Sequence, residues 1–497
     1  MKKTAALVLM LVCMMLAQSA LALTVTGLET ESVGRFWETN LFFSRMEALT
    51  GVAVQAHGVE KAENYTKLLA QMKSGTVEGG MADVLFKANL SREDEYAMLD
   101  GGVLIDLAPM IDAHMPNLSA LLAANPAWKE IIALEDGRIA SLPLINQKER
   151  QVLVWINKAW LDTLGAQMPT TIDELTDVLV KIKDGDPNKN GKSDEVAADL
   201  VGVYELRWLL PFFGVVADDY HLARNGAGEL TFAPELPAYR DFIAKMCEWY
   251  ALGVLPKETF TVAHSSALLS EEDEKTALTS GMLVSVTPYT HVAVDKVLEY
   301  VPVLLAGPDG TTRWRDLLGE IWTGCFAVTS ACEDPAQALA WVDALYDEAV
   351  MKLGYAGVEG EDYTINDAGY WAFILNDGRD ISTIRSNVLM YTGAAMPGLY
   401  PADFVQTVDS EIDRHVFAAS EQARAVSEQV TQPYCLTREN QQKANELAFR
   451  IGALVDTGIG RFVTGEVELN DETYGEWIAQ LQAAGSADLV ALFAQAE

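Results

Sequence analysis

An α/β fold in two lobes is what this sequence predicts, and three observations predict it. From residue 23 onward, short β-branched and apolar runs alternate with helical stretches, the pattern of βαβ units that feed a parallel sheet. Beyond about residue 158 the pattern changes to longer helices, so a second body follows the first. No internal repeat and no low-complexity linker separates the parts, which fits a body crossed more than once by the chain better than beads on a string.

The elements follow in order. Leu23–Leu28 reads as a first strand, about Phe36 to Leu49 as a helix ending at Gly51, Val52–Val54 as a second strand, Tyr65–Lys73 as a helix and Ala82–Phe86 as a third strand. Ligands gather beyond the carboxyl ends of such strands, here the loops after Leu28, Val54 and Phe86. Arg150–Asn157 is a further strand leading into a helix near Lys158. Thr171-Ile172-Asp173-Glu174 is a capping box, and its helix is expected to be followed by more helix from Val196 to Phe213. Gly281–Thr287, Val301–Leu305 and Trp322–Thr329 read as strands. Asp334-Pro335 opens a helix with apolar positions at Leu339, Val342, Leu345, Tyr346 and Ala349, and Lys443–Val455, Glu472–Gln482 and Ala487–Gln495 fit helices. The expected organisation is a leader at 1–22, a first lobe from 23 to 150, a second from 151 to 300, a return to the first over 301–370, and a mainly second-lobe, helical part over 371–497.

The leader is read from Lys2-Lys3, an apolar run from Ala5 to Leu16 and the small-x-small site Ala20-Leu21-Ala22, with cleavage after Ala22. Cys13 lies inside the apolar run without the surroundings of a lipid-attachment site. No later stretch approaches about 18 uninterrupted apolar residues. The mature protein is therefore expected outside the cytoplasm, extracellular or periplasmic. Half of the 497 residues are apolar, enough for sizeable cores, and 71 acidic against 36 basic residues give a net charge of −35. Nucleic acid and anionic membrane would be repelled. Cys247, Cys325, Cys332 and Cys435 form no CxxC and are read as buried free thiols.

Residues 186–195 read Asp-Pro-Asn-Lys-Asn-Gly-Lys-Ser-Asp-Glu. Oxygens at Asp186, Asn188 and Asn190 alternate, Gly191 permits the sharp turn that aims the Lys192 carbonyl inward, and Asp194 and Glu195 close the shell. Hard oxygen donors at this spacing select Ca²⁺. A solvated polar turn would use the same residue types. The loop misses a Walker A by one residue. It also departs from an EF-hand, because Ala197 stands where the closing Glu would be, so a structural site is expected rather than a switch.

Several segments together resemble the type 2 periplasmic-binding fold, specifically the family 1 extracellular solute-binding proteins of carbohydrate ABC transporters, of alginate- and maltodextrin-binding type. They are Trp155–Gly165 (WINKAWLDTLG), Met168–Leu175 (MPTTIDEL), the loop 186–195, Gly324–Thr329 (GCFAVT), Gly357–Ile365 (GVEGEDYTI) and Phe462–Glu466 (FVTGE), spread over about residues 45–497. The resemblance implies a receptor that captures an oligosaccharide between two closing lobes and hands it to membrane permease subunits. It also implies that Asp186, Asn188, Asn190, the Lys192 carbonyl, Asp194 and Glu195 hold Ca²⁺. A monomer is expected.

A sugar cleft needs aromatic platforms for apolar C–H faces and planar polar groups for hydroxyls. Among 11 Trp and 16 Tyr, most of which must be core, Trp37, Trp155, Trp208, Tyr289 and Trp322 lie near strand ends or chain crossings. Lys87, Asn89 and Arg92 follow the strand ending at Phe86, and Arg150 stands at the first crossing. Each aromatic could equally be core, and each basic group a solvated charge. A secreted glycan hydrolase would share the acidic, aromatic composition and the Ca²⁺ loop, but needs two carboxyl groups roughly 5 to 9.5 Å apart across a cleft. No Gly-x-Ser-x-Gly, no His-Glu-x-x-His and no metal spacing among the six histidines supports an enzyme. Binding without catalysis is the expectation, with a hydrolase or a peptide receptor on the same fold as alternatives.

Overall fold

The computed structural model describes residues 22–29, 35–146, 151–261, 276–281, 294–316, 321–390, 396–401, 407–431 and 436–496. The expected leader, Arg150, Tyr289 and Cys435 lie outside these residues, as does most of the strand expected at 281–287. The chain divides into two compact units, Met1–Gln147 with Glu320–Val405, and Lys148–Gly319 with Gln406–Glu497. Ten strands build the two main sheets among the described residues: β1 Leu23–Glu29, β2 Val54–Glu60, β3 Val84–Phe86, β4 Leu142–Ile145, β5 Leu153–Asn157, β6 Val196–Asp199, β7 Thr276–Gly281, β8 Tyr300–Pro302, β9 Ile321–Val328 and β10 Gly398–Leu399.

The first unit carries the six-stranded sheet, in the order β10-β4-β9-β3-β1-β2. β1 runs parallel to β2 and β3, as βαβ alternation requires, while β9 enters antiparallel between β3 and β4. The strand expected at Val52–Val54 lies slightly further on. Leu23 pairs with Val54, and Val52-Ala53 form the approach after the left-handed cap at Gly51 (φ 72°). Gly27 is required by packing, since a Cβ there would fall 1.6 Å from the Phe86 carbonyl oxygen. Gly324 sits at the irregularity of β9 with φ 76°, and a Cβ there would fall 2.1 Å from the Leu90 carbonyl oxygen. Two buried carboxylates tie loops to this unit. Asp343 accepts the N–H groups of Asn117 (3.1 Å) and Leu118 (3.0 Å) at the start of the helix Pro116–Ala124. Asp362, inside the GVEGEDY segment, accepts from Arg45 (2.6 Å), from Arg379 and from the Val358 N–H (2.7 Å).

The second unit carries the four-stranded sheet β8-β5-β7-β6, with β6 parallel to β7 and the other pairs antiparallel. Its core joins Trp155, Leu179, Phe213, Tyr239, Trp249 and Ile451, drawing on the helices Ile172–Lys183, Pro237–Leu252 and Arg438–Val463. The stretch expected to be helical from Val196 to Phe213 is instead β6, a short helix at Gly202–Leu206 and a 3₁₀ turn at Arg207–Phe213. Gly202 at φ 65° separates strand from helix, and Pro211, lacking an N–H, keeps the last part from continuing as α-helix.

The units change at residues 320 and 405, against 301 and 370 expected from sequence. β8 pairs with β5, which holds residue 301 in the second unit. The segment after 370 is fixed to the first unit, where Arg35 and the Asn40 amide bond the carbonyls of Arg385, Ser386 and Leu389. Cys325 is buried, Cys247 and Cys332 are half-buried, and all three are free; burial pushes their thiols up, Cys325 to about 12. Among the described residues no helix is long and apolar enough to cross a membrane.

Candidate functional site

The oxygen-rich loop follows directly from the helix Ile172–Lys183, whose Thr171 hydroxyl accepts the Glu174 N–H at 3.2 Å. The Glu174 carboxylate bonds Thr170 instead of closing the box on Thr171 (2.8 Å to its N–H, 2.7 Å to its hydroxyl). Beyond the helix the chain folds around its own side chains. The Asp186 carboxylate accepts the N–H groups of Asn190 and Gly191, both at 3.0 Å, and the Asn188 oxygen also accepts from Asn190 at 3.0 Å. The Asn190 oxygen accepts the Lys192 N–H at 2.7 Å, and its amide donates to Asp194 at 3.1 Å. Lys189 (φ 58°) and Gly191 (φ 77°) take left-handed conformations that wind the loop tightly.

At the loop's end Glu195 is buried, and neither carboxylate oxygen has a hydrogen-bond partner among the described residues. Burial, then the charges of Asp186 and Asp194, push its carboxyl above the usual range. A carboxylate so placed is costly unless a cation meets it. Its donor chemistry, together with Asp186, Asn188, Asn190 and Asp194, fits Ca²⁺. Among the described residues no three His, Cys, Asp or Glu side chains converge as a metal cluster, so the carboxylates of Asp186, Asp194 and Glu195 do not close on one point here.

The expected ligand residues fall into distinct surroundings. Trp37 (1 % exposed) donates its indole N–H to Glu29 at 2.9 Å, and Lys87, fully buried with φ 53°, holds Nζ 3.9 Å from the same carboxylate. Arg35 completes this buried cluster with two bonds to Glu29, at 2.9 and 3.0 Å. Arg92 bonds Glu95 and the carbonyls of Ile131, Ile132 and Ala133, closing the end of the helix Pro126–Ile132. Asn89 (φ 46°) lines a cavity of about 510 Å³ in the first unit, with Leu28, Tyr65, Leu69 and Lys73, at the carboxyl ends of β1 and β3. Trp322 is half-buried on β9.

In the second unit Trp155 is fully buried in β5, its ring centroid 6.0 Å from His415. Trp208 (3 % exposed) stacks on Trp314 at 6.1 Å with the Arg315 guanidinium 5.5 Å from its ring. Trp37, Lys87, Trp155 and Trp208, named above as ligand candidates, are all closed to solvent in this structure, because each completes the core or an internal charge cluster of its own unit. Three aromatics that sequence reasoning passed over stand open instead, Phe36 at 60 %, Tyr204 at 54 % and Phe449, in the helix Arg438–Val463, at 85 % exposed. Phe36 and Tyr204 sit beside buried neighbours, so helical or strand periodicity carries no sign of their exposure.

Sequence reasoning also missed Asp199, the last residue of β6. It is fully buried, with no hydrogen-bond partner for either oxygen among the described residues, and burial followed by the Glu205 charge raises its carboxyl to about 7. A single Asp ending a short strand has no sequence signature that separates it from a turn residue.

Residues 38–352 match the bacterial extracellular solute-binding protein family. A fructooligosaccharide ABC transporter substrate-binding protein, FusA of Streptococcus pneumoniae serotype 4, is 28 % identical over 335 residues, 65 % of this chain and 60 % of that protein. The chain thus spans about 60 % of the length of this curated relative. Two solved structures share the fold: a FusA EF-hand mutant from S. pneumoniae bound to fructo-nystose (20 % identity, 95 % of this chain, 98 % of that one, TM-score 0.74) and the alginate-binding protein AlgQ2 without calcium ion (19 % identity, 96 % and 98 %, TM-score 0.67). The likeness shows a two-lobed solute-binding fold. With the match covering well over half of its residues, the chain belongs to the bacterial extracellular solute-binding protein family.

Proposed function

We propose that this chain is the substrate-binding component of a carbohydrate ABC transporter, which captures an oligosaccharide and delivers it to membrane permease subunits. The observation that carries this reading is the family match over residues 38–352, supported by fold likeness over 95 % of the chain to a protein solved with a fructo-oligosaccharide. Ligand capture works through closure of the two units on the sugar, since a ligand shifts open and closed populations by its differential affinity for them. No chemical step is assigned to the protein. It is exported by its leader, acts outside the cytoplasm as a monomer, and holds one structural Ca²⁺ in the loop 186–195. The carboxylate of Glu195, without a hydrogen-bond partner among the described residues, supports the Ca²⁺ reading, as do the FusA EF-hand mutant and the calcium-free AlgQ2.

Thermal-shift and calorimetric titration with neutral fructo- and malto-oligosaccharides, oligouronides and peptides test the proposal. A neutral oligosaccharide is expected to stabilise the protein saturably and to be recovered intact. Binding confined to peptides, or hydrolysis of the glycan, would overturn it.

A further inference from the structure

Three residues from three strands lie side by side across the second unit's sheet. Thr279 of β7 is the register partner of Trp155 on β5 and of Asp199 on β6. Register partners on neighbouring strands project to the same face, with Cβ atoms roughly 5 Å apart. The row therefore reads aromatic ring, hydroxyl, carboxylate. It lies toward the carboxyl ends of the parallel pair β6 and β7, where ligands of open α/β sheets bind.

The polar half of the row is incomplete. All three residues are fully buried. The Thr279 hydroxyl and both Asp199 oxygens lack hydrogen-bond partners among the described residues, although they are neighbours. No donor meets either group among the described residues, and the charged group that raises Asp199 further is another acid, Glu205, which accepts the Val201 N–H at 2.7 Å. Leaving a carboxylate and a hydroxyl buried and unmet is costly, and a nonpolar pair of similar size would fold more stably. Groups that lower stability in this way are retained where function uses them.

We propose that Asp199 and Thr279, beside Trp155, form a polar subsite of the second unit that takes adjacent hydroxyls of a neutral sugar ring. A carboxylate accepts two hydroxyl protons at once, the Thr hydroxyl gives and accepts one bond, and the indole lies against the ring's C–H side. A uronic acid would bring its own negative charge against Asp199 and Glu205 in a protein of net charge −35. The subsite therefore selects neutral over acidic glycans. Because the groups are closed to solvent, the sugar reaches them only when the surrounding structure opens. This inference rests on the transporter reading given above and adds the class of sugar and the residues that choose it.

The test compares Asp199→Asn and Thr279→Val, both close to the native size, with the wild-type protein. Melting without ligand and calorimetric titration with neutral fructo- and malto-oligosaccharides and with oligouronides are the two readouts. In the ligand-free state both variants should melt at or above the wild type, because Asp199→Asn replaces a buried charge with a neutral amide and Thr279→Val replaces an unmet hydroxyl with a methyl. Affinity for the neutral glycan bound by the wild type should fall about 10- to 100-fold in Asp199→Asn and less in Thr279→Val. Unchanged affinity in both variants overturns the inference while leaving the transporter reading intact. So does a lower melting temperature in both, the mark of groups that buried water satisfies for the fold alone. Preference of the wild type for oligouronides overturns it as well. If the wild type binds no glycan at all, the transporter reading itself falls and the inference with it.

Discussion

Asp199 shows how a single side chain sets a pH dependence. Its carboxyl is raised from the ordinary Asp range to about 7, mainly by burial and then by Glu205. A raised folded pKa means that the unfolded chain ionises first, so the contribution of this group to stability is whole below about pH 4 and is lost as pH rises to about 7. The loss amounts to as much as about 4 kcal/mol by the linkage relation. The stability of the wild type should therefore fall between pH 4 and 7 relative to Asp199→Asn, and the difference between the two proteins isolates this residue from other titrating groups. Parallel stability curves over that range would show that the carboxylate is met by a partner. Gly324 carries a different constraint. An added methyl would meet the Leu90 carbonyl oxygen in a left-handed backbone, so Gly324→Ala should lose about 2 to 4 kcal/mol in denaturant unfolding. Stability equal to the wild type would mean that β9 shifts freely there.

Among the elements, the loop 186–195 is the one whose behaviour a metal should change. Extracellular Ca²⁺ modules bind with dissociation constants around 10⁻⁴ to 10⁻³ M, and a 100-fold excess adds roughly 2.7 kcal/mol of stability. Chelator should lower the melting temperature of the wild type and leave Asp186→Ala nearly unmoved; indifference of both would make the loop a turn held by its own Asx bonds. The elements also show what the sequence made legible. Long amphipathic helices such as Arg438–Val463 and Asp471–Ala483, and the buried strand Ile321–Val328, were readable because period and caps agree with their surroundings. The helical continuation through Val196–Phe213 was misread because an apolar run with one Gly and one Pro suits a strand and a 3₁₀ turn as well as a helix, and pairing with β7 decides between them. The oxygen-rich loop was legible as a tight polar turn, because the residues that wind it are local in sequence. Lys87, Arg92 and Trp37 were legible as residues near strand ends but not in their roles, since the carboxylates and carbonyls they meet lie elsewhere in the chain, as with the Ile131 carbonyl that Arg92 reaches. Asp199 and Thr279 are adjacent only across a strand pair separated by about 80 residues, a relation no local pattern encodes.

At the scale of the whole molecule, two units built on separate sheets and a family match over most of the first two-thirds of the chain support the central proposal, that the protein receives an oligosaccharide and returns it unchanged. Small-angle scattering should show the particle compact when that glycan is added, and a tight ligand that leaves the profile unchanged would contradict ligand-driven closure. The most direct measurement is calorimetric titration of the Ca²⁺-loaded protein with short neutral fructo- and malto-oligosaccharides, followed by chromatography of the recovered sugar. The account predicts saturable one-to-one binding with the glycan recovered intact. Absence of binding to every neutral glycan, or recovery of shorter products, would contradict it.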